Sequence, residues 1–382
     1  MTRYVVAMSG GVDSAVAASL LLDAGHDVQG LFMANWEDEG EGYCTTASDF
    51  QDARASCAEL GIPLHRVSFA AEYRERVFAR FLAELRAGRT PNPDVLCNRE
   101  IKFGLCFDYA RRLGAERFAT GHYARIGPGG RLLRGVDAGK DQSYFLHMVS
   151  SAELACCEFP VGGLRKAEVR ALARERGLRV HDKRDSTGIC FIGERPFGEF
   201  LESWLPGVPG PIETPDGAVV GRHQGLARYT IGQRSGLGVG GLKDRAPAPW
   251  FVAAKELARN ALIVVQGRDH PALLCTGLRT GTLHWVAGAS PSAAFECTVK
   301  LRYRQADVSC ELDSSGVGAA IRFSGPQAGA VPGQYAVFYR DEECLGGGVI
   351  ESLIIAAEAS CRTASRHAAS SVSAAAASST SA

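Results

Sequence analysis

Tyr4-Val5-Val6-Ala7-Met8-Ser9-Gly10-Gly11-Val12-Asp13-Ser14 is the stretch on which the reading of this chain turns: an apolar run feeds a Gly-Gly turn, and an Ala-rich helix over residues 15–22 follows. Strand, tight loop and helix N-terminus in that order align backbone N–H groups and the positive end of a helix dipole, a combination that holds anions. Gly10 and Gly11 lack a Cβ, so a ligand can come close to the backbone. Ser9 and Ser14 add hydroxyl donors, and Asp13 is placed to hold a divalent cation beside phosphates. No Lys follows the glycines, so this is not a Walker A loop, and the Gly-x-Gly-x-x-Gly of a dinucleotide fold is absent. A Gly-Gly pair after a strand is, taken alone, usually only a turn.

Outward from this loop the pattern alternates. Residues 26–33, 64–69 and 117–120 read as further apolar strands, and 48–60, 72–85 and about 99–113 as helices. Strand and helix in alternation predict a doubly wound parallel α/β sheet over residues 1–205, with Met33 and Gly121 at strand ends where a nucleotide would sit. The run 88–94, with Pro91 and Pro93, interrupts the helical pattern. Lys140-Asp141-Gln142 introduces a short helical stretch, 165–176 is a helix closed by Gly177, 181–195 is a polar loop holding Cys190, and 197–205 is helical again.

From Pro206 the chain turns rich in Gly, Pro and short β runs such as 225–234, which predicts a small central β-rich domain over 206–275. Strands at 294–303, 318–323, 335–339 and 344–352 predict a small C-terminal β-barrel over 276–355. Residues 356–382 are mostly Ala and Ser and read as a disordered tail.

Composition narrows the classes. Of 382 residues, 46% are hydrophobic and 22% charged, as in globular proteins, and Lys plus Arg equals Asp plus Glu at 42 each. A nucleic-acid surface must therefore be local, and Arg99, Lys102, Arg111, Arg112, Arg117, Arg125, Arg131 and Arg134, with Arg222, Arg228 and Arg234, supply such local density. No apolar run reaches membrane-helix length and no signal peptide is evident, so the expected location is the cytoplasm, without a membrane partner. The twelve cysteines contain no Cys-x-x-Cys and the nine histidines no zinc spacing, so neither zinc nor an iron–sulfur cluster is expected. His122 reads as structural.

Two cysteines stand apart. Cys97 follows Pro91-Asn92-Pro93-Asp94 where a constrained loop enters a helix, and a helix N-terminus with Arg99 nearby favours the thiolate. Cys190 lies among small residues in Asp185-Ser186-Thr187-Gly188-Ile189-Cys190. Each alone reads as a buried structural cysteine before a catalytic one. A phosphate loop together with two such cysteines suits an enzyme that activates an oxygen with ATP and replaces it with sulfur.

The Ser-Gly-Gly-Val-Asp-Ser string resembles the pyrophosphate loop of the N-type ATP pyrophosphatases, whose fold is of adenine nucleotide α-hydrolase type. Together with Met33-Ala34-Asn35-Trp36, residues 91–103, Ala119-Thr120-Gly121-His122-Tyr123-Ala124, Lys140-Asp141-Gln142, residues 186–195 and 229–238, and Arg302-Tyr303-Arg304-Gln305, it resembles the bacterial tRNA-specific 2-thiouridylases over residues 3–354. The resemblance implies ATP-dependent 2-thiolation of the tRNA wobble uridine, through an adenylated uracil O2 and a cysteine persulfide. It assigns Ala7, Met8, Ser9, Gly10, Gly11, Val12, Asp13 and Ser14 to the ATP phosphates, Met33 and Gly121 to the adenosine, and Asp13 to Mg²⁺. Asn92, Pro93 and Asp94 would meet the target base, with Asp94 a candidate general acid/base, though a carboxylate there also reads as a cap. Cys190 would carry the persulfide and Cys97 assist its release, leaving a Cys97–Cys190 disulfide. Lys140, Asp141, Gln142, Arg302 and Tyr303 would contact tRNA, and the implied partners are tRNA and a sulfur donor protein, a cysteine desulfurase or a relay carrier. Two other readings stay open: a pyrophosphatase-type synthetase forming an amide or amine on another acceptor, and a nucleotide-binding regulatory module of the same architecture.

Overall fold

Apolar residues on both sides of the first strand decide the layering. In β1 (Arg3–Ala7), Val5 faces one core while Tyr4 and Val6 face another, because successive side chains of a strand point to opposite faces. The computed structural model describes residues 1–36, 46–185, 196–240, 248–316 and 318–355. In chain order β1 is followed by α1 (Val12–Asp23), β2 (Asp27–Ala34), α2 (Thr46–Leu60), β3 (Leu64–Ser68) and β4 (Arg117–Thr120). A hairpin of β5 (Ala124–Gly127) and β6 (Arg131–Arg134) precedes β7 (Cys157–Glu158). The sheet order is β3-β2-β1-β4-β7, every pairing parallel. The α1, α2 and Lys166–Glu175 helices cover one face, and the helical runs from Ala70 to Arg86 and from Pro93 to Arg112 cover the other. The chain is therefore doubly wound, with its switch point between β1 and β4, where the crevice at the carboxyl ends of the strands opens.

One helix starts earlier than the pattern suggests. The Asn92 side chain accepts from the Asp94 backbone N–H at 3.2 Å, and Pro93 takes the first helical position. Proline there needs no N–H partner and has the right φ, so Asn-Pro-Asp starts the helix rather than breaking it. The helix then continues through a π segment, Cys97–Cys106. A second correction concerns residues 225–234: Gly225 at φ 116° leads into the 3-10 turn Leu226–Arg228, not a strand.

Beyond the first sheet lie β8 (Gly210–Glu213), β9 (Val219–His223), β10 (Trp250–Glu256) and β11 (Ala261–Gln266), a four-stranded sheet ordered β10-β11-β8-β9 around Ile212, Trp250, Val252, Leu262 and Val264. Then come β12 (Leu274–Thr280), β13 (His284–Trp285), β14 (Ala294–Lys300), β15 (Val308–Asp313), β16 (Ala319–Ala328), β17 (Tyr335–Arg340) and β18 (Glu343–Ile354). The order β12-β16-β15-β14-β17-β18 returns on itself through a β12–β18 pairing, which closes a six-stranded barrel. The sequence pattern does not reveal that β6 pairs with β18, so the β5–β6 hairpin grafts the first domain onto the barrel wall. Among the described residues no helix is long and apolar enough to cross a membrane.

Candidate functional site

The loop after β1 is shaped by two glycines, of which Gly10 admits no side chain. Gly10 sits at φ +74°, and a Cβ there would fall 2.2 Å from the Asp49 carbonyl oxygen. Gly11 is the extended N-cap of α1 with no side-chain cap, so the first N–H groups of a 12-residue helix face the crevice. Ser14 Oγ donates to Gly11 O at 3.0 Å and accepts from Ser9 N at 3.2 Å, while Gly11 N donates to Ser9 Oγ at 3.3 Å. On the far side, Gly121 directly follows β4, and a Cβ there would lie 2.7 Å from Ser14 N. Met8 N donates to Leu31 O at 2.9 Å, and Met33 lies half-buried in β2, paired with Val67. This bare cradle of N–H groups, which any Cβ would fill, fits the phosphates of ATP.

Asp13 has a different setting from the one its sequence suggests. Lys166 Nζ donates to both its oxygens at 2.8 Å and Tyr123 Oη to Oδ1 at 2.7 Å. Burial, reinforced by Asp13, pushes the Tyr123 phenol pKa up, so it stays a donor. Both Asp13 oxygens are engaged by Lys166 in this arrangement, so a divalent ion there would compete with the ammonium for them. Lys166 also meets Asp185 Oδ1 at 2.8 Å, as does Arg170 at 2.9 Å, while Lys140 bonds Oδ2 at 2.5 Å. Burial opposes the Asp185 charge, but the bonds from Lys140 and Lys166 prevail and hold its pKa down to about 2. Lys183 donates to Gly10 O at 3.1 Å, Asp49 Oδ1 at 2.7 Å and Asp52 Oδ2 at 2.5 Å, tying the loop to α2. Burial lowers its pKa, yet the Asp49 and Asp52 bonds carry it above the usual value.

Cys97 lies one turn into its helix and is 1% exposed. It is therefore not at the helix end, where the dipole acts on a thiol most strongly. Asn35, just past the carboxyl end of β2, reaches the Cys97 sulfur at 3.9 Å through Nδ2, which brings the thiol to the same sheet edge as the phosphate loop. Asn35 Oδ1 and the neighbouring Asn98 Oδ1 are buried acceptors without a hydrogen-bond partner among the described residues. Burial raises the pKa of Asp94, one helical turn before Cys97, against the opposing charge of Lys102. His122 bonds Thr120 Oγ1 at 2.7 Å, and burial followed by Lys102 drives its pKa well below the ordinary value. Cys190 and its loop, residues 186–195, lie outside the described residues.

The expected tRNA contacts are near one another and are engaged within the protein. Lys140 pairs with Asp185, and its carbonyl accepts from Tyr303 Oη at 3.5 Å. Asp141 is 4% exposed and accepts from Gly135 N and Ser143 N, each at 3.1 Å. Gln142 exchanges bonds with Tyr123 at 2.8 and 2.9 Å. Arg302 donates to Gly329 O at 2.7 Å and to Ile231 O at 3.2 Å, which ties the barrel to the central domain. Tyr303 packs against Phe145 with the rings tilted at 51° and their centroids 4.5 Å apart. Three arginines read as nucleic-acid density serve the hairpin–barrel junction instead: Arg125 on Glu342, Arg131 on Glu343 and Arg134 on Asp307. Sequence reasoning missed Tyr123, Lys166, Lys183 and Asp185 as parts of the site, because Tyr123, Lys166 and Lys183 find Asp13 and Asp49 more than a hundred residues away, and no local pattern marks the convergence of Lys140, Lys166 and Arg170 on Asp185. Among the described residues no group of three or more His, Cys, Asp or Glu side chains converges as a metal-ligand set.

Residues 2–194 match the tRNA methyl transferase HUP domain family, 198–266 the tRNA methyl transferase PRC-barrel domain and 275–350 the aminomethyltransferase beta-barrel domain. Over its length the chain is 56% identical to a tRNA-specific 2-thiouridylase MnmA of Marinobacter nauticus, covering 92% of this chain and 91% of that one. Identity to the protein of that name in Hahella chejuensis is 54%, covering 92% and 98%. A solved NMN synthetase from Francisella tularensis, 20% identical, superposes at TM-score 0.31 over 51% of this chain and 71% of that one, too loosely to carry an argument.

Proposed function

The chain belongs to the tRNA-specific 2-thiouridylase family, and from that premise we propose how its own residues divide the work of a tRNA-uridine 2-sulfurtransferase. The reading rests on one contact above all, Asn35 to Cys97, since it joins the thiol to the sheet edge that also carries the phosphate cradle. ATP binds with its phosphates on the N–H groups and hydroxyls of residues 7–14 and its adenosine between Met33 and Gly121. Lys166, held between Asp13 and Asp185, supplies positive charge beside the cradle on which the pyrophosphate can draw. Mg²⁺ accompanies the nucleotide, and Asp13 reaches it only where Lys166 gives way.

The wobble uridine leaves its stack and enters beside Asn92, Pro93 and Asp94. Asn35 Oδ1, a buried acceptor, suits the uracil N3–H, and the raised pKa of Asp94 suits a group that gives and takes a proton. Uracil O2 attacks the α-phosphorus and pyrophosphate leaves. The terminal sulfur of a Cys190 persulfide then attacks C2 and AMP departs. Cys97 attacks the Cys190 sulfur, the S–S bond breaks toward the new thiocarbonyl, and the resulting Cys97–Cys190 disulfide is reopened by a thiol reductant. Enclosure of the adenylate keeps out water, which would return uridine. Lys140, Asp141, Gln142, Arg302 and Tyr303 border the tRNA, partly through the contacts they shape. A cysteine desulfurase or relay carrier supplies the sulfur, and the setting is the cytoplasm.

The test is nucleoside mass spectrometry of unmodified tRNA incubated with the protein, ATP and either sulfide or a desulfurase with cysteine. The expected product is 2-thiouridine, formed only with ATP. AMP release driven by ammonia or an amine, with no thiolated nucleoside, would instead favour a synthetase acting on another acceptor.

A further inference from the structure

The barrel carries a second pair of cysteines that no step above uses. In the β14–β15 ladder Cys297 stands directly opposite Cys310, and their sulfurs are 3.6 Å apart. Directly opposed residues of an antiparallel pair have Cα atoms about 4.5–5.5 Å apart, inside the roughly 4.4–6.8 Å span of a disulfide. The sulfurs need to approach by only about 1.5 Å to reach bonding distance, which small side-chain rotations supply. Cys310 lies on the inward row with Val308 and Leu312 and is 5% exposed, whereas Cys297 keeps part of its surface in solvent. One thiol is thus reachable and its partner is held behind it.

We propose that Cys297 and Cys310 form a reversible cross-strand disulfide, a modification site in the barrel wall that takes hydrogen peroxide as its oxidant. The Cys297 thiolate attacks a peroxide oxygen and breaks the O–O bond, giving a sulfenic acid and, after protonation, water. The Cys310 sulfur then attacks the sulfenic sulfur, the S–O bond breaks, and a second water carries away the oxygen and the thiol proton. Two thiols are oxidised and one peroxide is reduced. A thiol reductant reverses the bond by exchange.

Local electrostatics support the order of events. The bond from Cys310 and then the Arg340 charge hold the Cys297 thiol below its usual pKa, against its burial, while the same pairing and burial push Cys310 up. Burial pushes Cys57, Cys106 and Cys344 up to about 12 and Cys275 to about 11, so those thiols stay protonated and slow. The bridge would close the hairpin whose connection carries Arg302 and Tyr303, the residues that reach Ile231 and Lys140. Oxidation would therefore stiffen the joint between the barrel and the other two domains without touching Cys97.

The test uses the full chain. It is exposed to hydrogen peroxide, its remaining thiols are alkylated, and it is digested without reductant for mass spectrometry. The expected species is the Cys297 peptide joined to the Cys310 peptide, lost on adding dithiothreitol, with a higher Tm for the oxidised chain. Cys297→Ser, a conservative change at a partly exposed position, is expected to melt like the reduced wild type and to show neither the linked peptide nor the Tm rise. Cys310 still fully alkylatable after peroxide, or Cys297 found as a sulfinic acid or joined to another cysteine, would overturn the proposal.

Discussion

The phosphate cradle and the wall of charge beside it share one sheet edge but are built in opposite ways. The cradle comes from a few consecutive residues whose lack of side chains does the shaping: Gly10 and Gly11 after β1, with Gly121 closing the far side. The wall comes from Lys166 and Lys183, whose partners at Asp13, Asp49 and Asp52 lie far away in sequence, and from Asp185, which gathers Lys140, Lys166 and Arg170. A cradle of backbone tolerates no addition, whereas a wall of ion pairs tolerates no removal. The two should therefore fail differently when altered.

The largest effect should come from filling the cradle. Gly10→Ala puts a Cβ against the Asp49 carbonyl at a positive φ, and we expect tRNA-dependent pyrophosphate release to fall by roughly 100-fold or more, with about 1–3 kcal/mol of stability lost. Steady-state kinetics and urea melts check both. A near-normal enzyme would mean that the backbone there is free to move and that the contrast with the wall is empty.

Next comes the wall. Lys166→Met keeps the length of the side chain but leaves Asp13 and Asp185 facing one another without their shared cation. Two partly exposed carboxylates then lose one of their partners, Asp13 keeping Tyr123 and Asp185 keeping Lys140 and Arg170, which we expect to cost about 1–3 kcal/mol, with kcat for pyrophosphate release reduced more than KM is raised. Unchanged kcat with only a higher KM would assign Lys166 to ground-state binding. Lys183→Ala should be milder, raising the KM for ATP by about tenfold through a loosened Gly10 loop, equivalent to about 1.4 kcal/mol.

The same contrast governs what was legible in the sequence. The Ser9–Ser14 string, the parallel strands and the barrel could be read because each rests on local spacing, and the doubly wound sheet and closed barrel follow that reading. Asn92-Pro93-Asp94 was misread in its local role: proline signals both a break and a first helical turn, and only the Asn92 cap decides between them. Arg125, Arg131 and Arg134 looked like nucleic-acid density because charge in a sequence does not show which carboxylate it will meet. Lys166 and Asp185 were invisible for the same reason. The β5–β6 hairpin that joins the barrel was missed because a single strand pairing made across more than two hundred residues has no sequence signature.

A last effect, one of pH rather than of substitution, separates charge from burial. His147 is fully buried, and burial lowers its pKa from 6.5 to about 4. A histidine kept neutral in the fold gives its full stabilisation above pH 6.5, and that contribution is lost as pH falls from 6.5 toward 4. His122, lowered further, adds to the same loss. The Asp185 pairs, with a carboxyl pKa of about 2, should persist across that window and fail only below it. Thermal melts followed from neutrality into this range should therefore show Tm declining in step with the histidines. A flat profile there, with a drop only at lower pH, would shift the acid sensitivity to the carboxylates.

The central claim is that one sheet edge carries two separable chemistries, activation at the cradle and, at Cys97, release of the sulfur that Cys190 delivers. The most direct measurement is adenylated tRNA and 2-thiouridine quantified side by side for wild type and Cys97→Ser, with ATP and a desulfurase as sulfur source. The account predicts that Cys97→Ser still adenylates tRNA while 2-thiouridine disappears. Full thiolation by Cys97→Ser, or loss of adenylation together with thiolation, would contradict it.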